Sequence, residues 1–249
     1  MIRLIIVGYG KMGKMIESVL NEDNSHYSGR FKLEGIYDVD NAIHDNYAGN
    51  ADVAIEFSTP SSATENIKYL ISNGVKVVCG TTGWYEQAGE IEKFVTEHNA
   101  GFIYASNFSL GVNIFFSIVK HSAGLIAGLN QYNISIEETH HAQKLDKPSG
   151  TALRLAEYVK QKVTSKNKIT CDKTNPLENE INIISKRTGE VVGNHKVIFD
   201  STSDKISLEH DAKSRRGFAE GALLAAEFIA GRNGFFRFED IFLDIIKQS

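Results

Sequence analysis

The chain has 249 residues, 42% of them hydrophobic and 23% charged, with a formal net charge of −4. A chain of that size buries a real core as one large domain or two modest ones. Its negative balance argues against general nucleic-acid binding, which leaves a basic footprint, and its longest apolar runs, such as LIIV and VVC, are far too short to span a bilayer.

The opening MIRLIIVGYG runs straight into an apolar strand and turn, without the basic leader and small-residue cleavage site of a signal peptide. A soluble, cytoplasmic protein is expected. Cys79 and Cys171 are the only cysteines, too few for a disulfide framework or a four-thiolate metal site. No fixed-period repeat, low-complexity tract or heptad run suggests a solenoid or coiled coil.

Over the first hundred residues, short apolar runs alternate with helical patterns, the trace of a parallel sheet built from βαβ units. The predicted strands are RLIIVG, KLEGIYD, VAIEFS, VKVVCG and GFIYAS. Between them KMGKMIESVL, SSATENIKYLISNG and YEQAGEIEKFVTEH read as helices, with Gly74 and Gly101 expected at helix ends. This is a doubly wound α/β layout. From about Leu110 one helical stretch is followed by strands YNISIEET, INIISK, HKVIFD and KISLEH, with one further helix after PSGT. That pattern predicts an α+β domain with an open, mixed or antiparallel sheet. The polar segment 164–180 is expected to be an exposed loop. GFAEGALLAAEFIAGR is strongly helical, and FRFEDIF follows it without a domain break, so the tail is expected to return to the first domain. The expected boundaries are 1–108 with 217–249 for the first domain and 109–216 for the second.

The segment GYGKMG sets Gly8, Gly10 and Gly13 in G-x-G-x-x-G spacing, directly after a predicted strand and opening a predicted helix. The first glycine makes a tight turn, the second lets backbone approach a pyrophosphate, and the third lets helix and strand pack closely. The helix start then offers unpaired N–H groups to the phosphates. An ordinary strand-to-helix turn can use two such glycines, but the context favours dinucleotide binding. Asp38 ends the second strand, where an acid accepts hydrogen bonds from the adenosine ribose, whereas an NADP site tends to place arginine there. Val39 follows instead, which favours NADH; Lys11 and Lys14 leave a 2′-phosphate, and so NADPH, open as well. Two more polar loops, CGTTG (Gly80 to Gly83) and ASNFSLG (Ala105 to Gly111), end strands where ligands of open α/β sheets lie.

The densest chemistry lies in EETHHAQKLDKPSGTA. If the strand continues past it, His140 and Lys144 share a face; if the chain turns helical, a four-residue spacing again brings them together. Ser149 is the expected N-cap of the next helix, whose first N–H groups near Gly150 and Thr151 form an anion site. Imidazoles, an ammonium and a helix start would thus meet one small anion. A solvated histidine pair is the plain alternative. A metal is not expected, because no cysteine or third histidine stands at ligand spacing and H-E-x-x-H is absent.

The run ETHHAQKLDKPSGTA resembles the signature of the dihydrodipicolinate reductase family, E-x-H-H-x-x-K-x-D-x-P-S-G-T, at every specified position. GYGKMG, CGTTG, SNFSLGVN, RTGEVVGNH and EHDAKSRRGFAEGA follow in family order, so the likeness covers essentially the whole chain. It implies a Rossmann-like domain joined to a central α+β domain that binds substrate and assembles a homotetramer. It also implies NADH- or NADPH-dependent reduction of 4-hydroxy-tetrahydrodipicolinate to tetrahydrodipicolinate, with loss of water, on the diaminopimelate route to lysine. By the same resemblance His140 is proton donor and acceptor, Lys144 a proton donor, and His141, Gly150 and Thr151 bind substrate. Its cofactor positions fall on Gly8, Tyr9, Gly10, Lys11, Met12, Gly13, Asp38, Gly80, Thr81, Thr82, Ala105, Ser106, Asn107 and Phe108, with Arg215 and Phe218 near the nicotinamide end. Val39 departs from NADPH-using relatives, which often carry arginine there. The rival readings are an aspartate- or homoserine-type dehydrogenase, which lacks the histidine pair joined to PSGT, and an NAD(H)-sensing protein without turnover.

Overall fold

The computed structural model describes residues 1–248, which form two compact units: Met1–Leu110 with the chain from Arg215 onward, and Gly111–Ser214. No helix among the described residues is long and apolar enough to cross a membrane.

The first unit is α/β. Its strands are β1 (Ile2–Val7), β2 (Phe31–Tyr37), β3 (Val53–Glu56), β4 (Lys76–Cys79), β5 (Gly101–Tyr104) and, from the tail, β11 (Gly234–Arg237). They form one 6-stranded sheet in the order β11-β5-β4-β3-β1-β2, parallel throughout. Its helices are α1 (Lys11–Leu20), the short α2 (Ile43–Asn46), α3 (Pro60–Ser72), α4 (Ala88–Glu97), α7 (Arg216–Ala230) and α8 (Phe238–Gln248). Strands buried on both faces need apolar residues in continuous runs, and β1 supplies one. Leu4 and Ile6 join the core under α1, α7 and α8, while Ile5 and Val7 join the core under α3 and α4. The order reverses at β1, whose neighbours are β2 and β3, and ligands of such sheets lie outside the strand ends at that reversal.

The second unit is α+β. Helices α5 (Leu110–Ile126) and α6 (Gly150–Lys162) pack on one face of a 5-stranded sheet ordered β10-β9-β6-β8-β7. Its strands are β6 (Asn133–His140), β7 (Lys168–Cys171), β8 (Glu180–Arg187), β9 (Gly193–Asp200) and β10 (Lys205–Ala212). Pairing is parallel for β6 with β8 and β7 with β8, and antiparallel for β6 with β9 and β9 with β10. The sheet is therefore mixed.

Three local expectations need correction. The segment 164–180 is not all loop, because it carries β7 as an edge strand with a single half-buried isoleucine, Ile169, too weak a pattern to read as a strand. Side chains hold that edge: Glu180, fully shielded, pairs with Lys168 at 3.1 Å and Lys173 at 2.6 Å. Gly101 does not end a helix but opens β5, and the left-handed residue after α4 is Asn99, at φ 46°. Gly74 does follow a helix in the left-handed conformation, at φ 75°. Finally, the strand carrying the histidine pair stops at His140. Its neighbour β8 ends at Arg187, opposite His140, and β9 begins at Gly193, so beyond that point no strand remains to pair with.

Candidate active site

In the first unit the glycine turn is shaped by what surrounds it. Gly8 sits at φ 93°, and a Cβ there would stand 2.2 Å from the Phe57 carbonyl oxygen at the end of β3. A Cβ on Gly13 would stand 2.3 Å from the Gly8 oxygen, so helix α1 packs against the turn itself. Gly10, by contrast, has nothing within 4 Å of where its Cβ would be. The middle glycine thus presents bare backbone to open space at the start of α1, which suits a pyrophosphate.

Two cavities flank that turn. One, of about 460 Å³, runs over the Asp38 end and is lined by Gly8, Tyr9, Gly10, Val39, Ser58 and Asn66 among others. The second, of about 390 Å³, is lined by Gly10, Lys11, Met12, Phe57, Pro60, Gly80, Thr81 and Thr82. Gly10, Phe57 and Ser58 belong to both, so the two halves meet over the turn. Glu56, fully buried beneath them, accepts hydrogen bonds from the Ser58 N–H at 3.1 Å and from the Ser58 hydroxyl.

The expected cofactor positions divide. Gly8 to Met12, Asp38, and Gly80 to Thr82 all line one cavity or the other, whereas Ala105, Ser106, Asn107, Phe108, Arg215 and Phe218 line neither. The Ala105 N–H donates to Cys79 O, beside the Gly80 loop, and the Phe108 ring is buried against Phe238. The Ala105 and Phe108 side chains therefore serve the core, while Ser106 is exposed and its hydroxyl donates to Glu239 at 3.0 Å. Arg215 caps α7, and Phe218 is half-buried in its first turn. Lys11 lines the second cavity only, away from Asp38, and Lys14 lines neither. The segment after β3, Phe57 to Thr59 and the first residues of α3, received no role in sequence, although it follows a predicted strand and the rule of strand ends applied to it equally.

In the second unit the polar cluster is built on alternate residues of β6. Ile134 and Ile136 point into the core, and by the same alternation so do Glu138 and His140, at 0% and 8% exposure. A buried carboxylate needs partners, and four elements supply them. The Ser149 N–H at the start of α6 donates to both oxygens, at 3.1 and 3.2 Å. Arg187 of β8 donates at 2.9 Å. His140 Nε2 lies 3.5 Å and His195 Nε2 of β9 3.8 Å from Glu138 Oε2. Burial alone would raise the Glu138 carboxyl, but hydrogen bonds from His140, Ser149 and Arg187 outweigh it and hold the group well below the usual range.

Around this carboxylate the expected residues take their places. The His140 Nδ1–H donates to Val192 O at 3.2 Å, which makes Nε2 the ring's exchanging nitrogen. Ser149 caps α6 as expected, its hydroxyl oxygen accepting from the Ala152 N–H at 3.2 Å, and Gly150 and Thr151 open the helix. Lys144 is not on a shared face with His140, since residues 141–149 form turns rather than strand or helix. Its Nζ pairs with Asp146 at 2.7 Å instead. The same turn is tied back to the cluster, because Arg187 also donates to Asp146 O. His141 accepts the Lys144 N–H through its carbonyl, at 3.1 Å.

Two members of the cluster, Arg187 and His195, received no role in sequence although both stand in RTGEVVGNH. His195 is the third histidine that sequence spacing could not supply, reaching His140 from 55 positions away. Glu138, His140 and His195 together are donor types that hold metal ions. Arg187, however, already places a cation on that carboxylate.

The N-terminal model of dihydrodipicolinate reductase matches residues 2–108 and its C-terminal model residues 111–242. The chain belongs to the dihydrodipicolinate reductase family. It is 41% identical over 245 residues to the 4-hydroxy-tetrahydrodipicolinate reductase of Christiangramia forsetii, covering 98% of this chain and 99% of that relative. To the enzyme of the same name from Methanocaldococcus jannaschii it is 40% identical over 189 residues, covering 73% and 67%. Its fold matches the dipicolinate-bound dihydrodipicolinate reductase of Paenisporosarcina sp. TG-14 with a TM-score of 0.73 at 24% identity, over 97% of this chain and 99% of that one.

The depressed Glu138 carboxyl has a consequence for stability. A group whose folded value lies below its unfolded value of 4.5 stabilises the fold above that pH and loses the contribution as pH falls through the folded value. Removing the charge from a buried pair costs about 3 kcal/mol. Glu138→Gln is therefore expected to be less stable than the parent by about that much at pH 7. The gap should narrow steadily below pH 4.5, as chemical denaturation at several pH values will measure.

Proposed function

We propose that this chain reduces 4-hydroxy-tetrahydrodipicolinate to tetrahydrodipicolinate, consuming a reduced nicotinamide dinucleotide and a proton and releasing water, in the diaminopimelate route to lysine. The observation that carries this reading is local to the second unit. The imidazole at the end of β6 and the first turn of α6 are tied through one buried carboxylate, so a proton-handling ring and a carboxylate-binding helix start come as a single piece. An NAD(H) sensor has no use for such a pair, and family membership speaks for the reductase over the aspartate- or homoserine-type dehydrogenases.

The first unit is the dinucleotide-binding domain and the second the substrate domain. When bound, the cofactor supplies the hydride. Gly8, Tyr9, Gly10, Lys11, Met12 and Gly13 would hold its pyrophosphate, Asp38 its adenosine ribose, and Gly80, Thr81 and Thr82 its nicotinamide half. Backbone of Ala105 to Phe108, with Arg215 and Phe218, completes that set. On the substrate, Gly150 and Thr151 N–H groups take one carboxylate, with His141 beside them. Lys144, whose side chain is 24% exposed, is the donor that reaches the substrate most freely. It neutralises charge that builds as hydride adds to the conjugated ring and delivers the proton. His140, with an edge of its ring accessible, gives and takes a proton at Nε2.

NADH is the favoured cofactor. Asp38 and Glu65 line the Asp38 cavity, and no lysine or arginine among the described residues does. Val39 is 84% exposed at that rim, where a cation would have to stand to meet a 2′-phosphate. A homotetramer formed through the second unit's sheet completes the reading. Both of its helices pack on one face, and the other presents Glu137, Thr139, Lys196 and Ile198, partly open.

Three measurements test these statements. With substrate generated in situ by the preceding synthase, the protein should deplete reduced-nicotinamide absorbance, and Lys144→Ala should lower kcat roughly 10²–10⁴-fold while leaving NADH affinity nearly intact; unchanged turnover removes Lys144 from the chemistry. Steady-state KM should be lower for NADH than NADPH, and Val39→Arg should shift the ratio toward NADPH by about tenfold, equivalent to about 1.4 kcal/mol. Light scattering coupled to size exclusion should give the mass of four chains, and a monomer would remove the sheet-to-sheet assembly.

A further inference from the structure

His195 has been given no part in the reaction, yet it is the most confined histidine in the cluster. It sits on β9 directly across from Glu138 of β6 and from His210 of β10, with 3% of its surface exposed. Its Nε2 is 3.3 Å from His140 Nε2 and 3.3 Å from Ser149 Oγ. Its Nδ1 is buried without a hydrogen-bond partner. Burial, then the charges of His140, His210 and Lys144, outweigh Glu138 and push the ring down to about 3, so it stays neutral.

A neutral imidazole carries one ring proton, and the surroundings decide where. On Nδ1 it would be a buried donor with no acceptor, which is costly. On Nε2 it has a choice of acceptors at equal distance, Ser149 Oγ and His140 Nε2. His140 already spends its Nδ1–H on Val192 O. While His140 is charged, its Nε2–H points to Glu138 Oε2 and the His195 N–H is free for Ser149. Once His140 has given that proton away, its Nε2 lone pair faces a carboxylate oxygen at 3.5 Å, two acceptors opposed. Only a donor from elsewhere relieves that contact, and His195 is in place to provide it.

Resting on the reductase reading, we infer that His195 is a positioning residue: its Nε2–H moves between Ser149 and His140, holding the His140 ring in place after proton transfer and tying it to the cap of the substrate-binding helix. The groups facing it are Glu138 and His140 from β6, Lys144 from the following turn, His210 from β10 and Ser149 from α6. Arg187 of β8 acts on it through Glu138.

The test uses two substitutions that separate the donor from the volume. His195→Gln keeps an N–H near the position of Nε2, and His195→Leu fills the space without one. Circular dichroism confirms that both fold. The leucine variant is expected to lose roughly 10–100-fold in kcat, the cost of a buried acceptor left unmet, with a smaller change in substrate KM. It is also expected to carry the basic limb of its pH profile to higher pH, because the proton-depleted ring has lost its partner. The glutamine variant should stay near the parent on both counts. Imidazole titration of His140 by NMR, with no substrate present, should move up in the leucine variant and not in the glutamine one. Equal behaviour of the two variants, or an unmoved titration and pH limb in His195→Leu, overturns the inference. A parent protein without turnover whose His140 titration still responds to His195→Leu would sink the reductase reading and leave the histidine pairing standing.

Discussion

A carboxylate with no exposed surface governs the second unit. Glu138 occupies a core-facing position of β6 that Ile136 and Ile134 fill one and two steps of the alternation earlier, and a charge there is tolerable only if the neighbouring elements turn donors toward it. Arg187 comes from β8, His195 from β9, the Ser149 N–H from α6. An apolar side chain there would spare the desolvation of the carboxylate, but it would leave Arg187 a largely buried cation without its partner, α6 with no fixed entry point and the His140 ring with no fixed orientation. The carboxylate and its partners hold those elements in place together, and fixed placement is what proton transfer needs.

The first unit reaches the same end without charge. Its turn is set by backbone crowding. The Phe57 carbonyl leaves no room for a side chain at Gly8, and the Gly8 oxygen leaves none at Gly13. These two contacts pull the ends of β1 and β3 and the start of α1 together, so Gly10 between them is left with open space around its backbone. Steric exclusion at two positions creates access at the third.

Those glycines were legible in the sequence because their spacing follows the local chain, as were the strands of both sheets other than the edge strands β7 and β11, their apolar runs continuous in one sheet and alternating in the other. Ser149 was legible for the same reason, as a polar cap standing before an apolar helix pattern. The partners of Glu138 were not. His195 and Arg187 meet it only because β8 and β9 flank β6 in the mixed sheet, and no periodicity within a strand announces which strand lies beside it. The expectation that His140 and Lys144 share a face of one strand or helix was not met, for a related reason. It assumed one regular element from 140 to 144, whereas strand length is set by how far the neighbours continue, and β8 stops opposite His140. Likewise β7 was hidden because an edge strand held by Glu180 and its lysines needs little apolar signal of its own.

The cluster also resolves how a chain of net charge −4 would draw a doubly acidic ring. Charges farther apart than a Debye length, about 8 Å at physiological salt, are largely screened, so the total matters less than the nearest groups. Near α6 the negative charges are already spoken for: Glu138 by Arg187 and the Ser149 N–H, Asp146 by Lys144. An arriving carboxylate therefore meets the helix start and an ammonium whose present partner, Asp146, is 55% exposed and readily solvated by water instead. Exchange of that surface pair for one with substrate costs little, since exposed ion pairs contribute at most about 1 kcal/mol. Lys144 and Asp146 thus form a partly exposed, exchangeable pair in front of the buried part of the cluster.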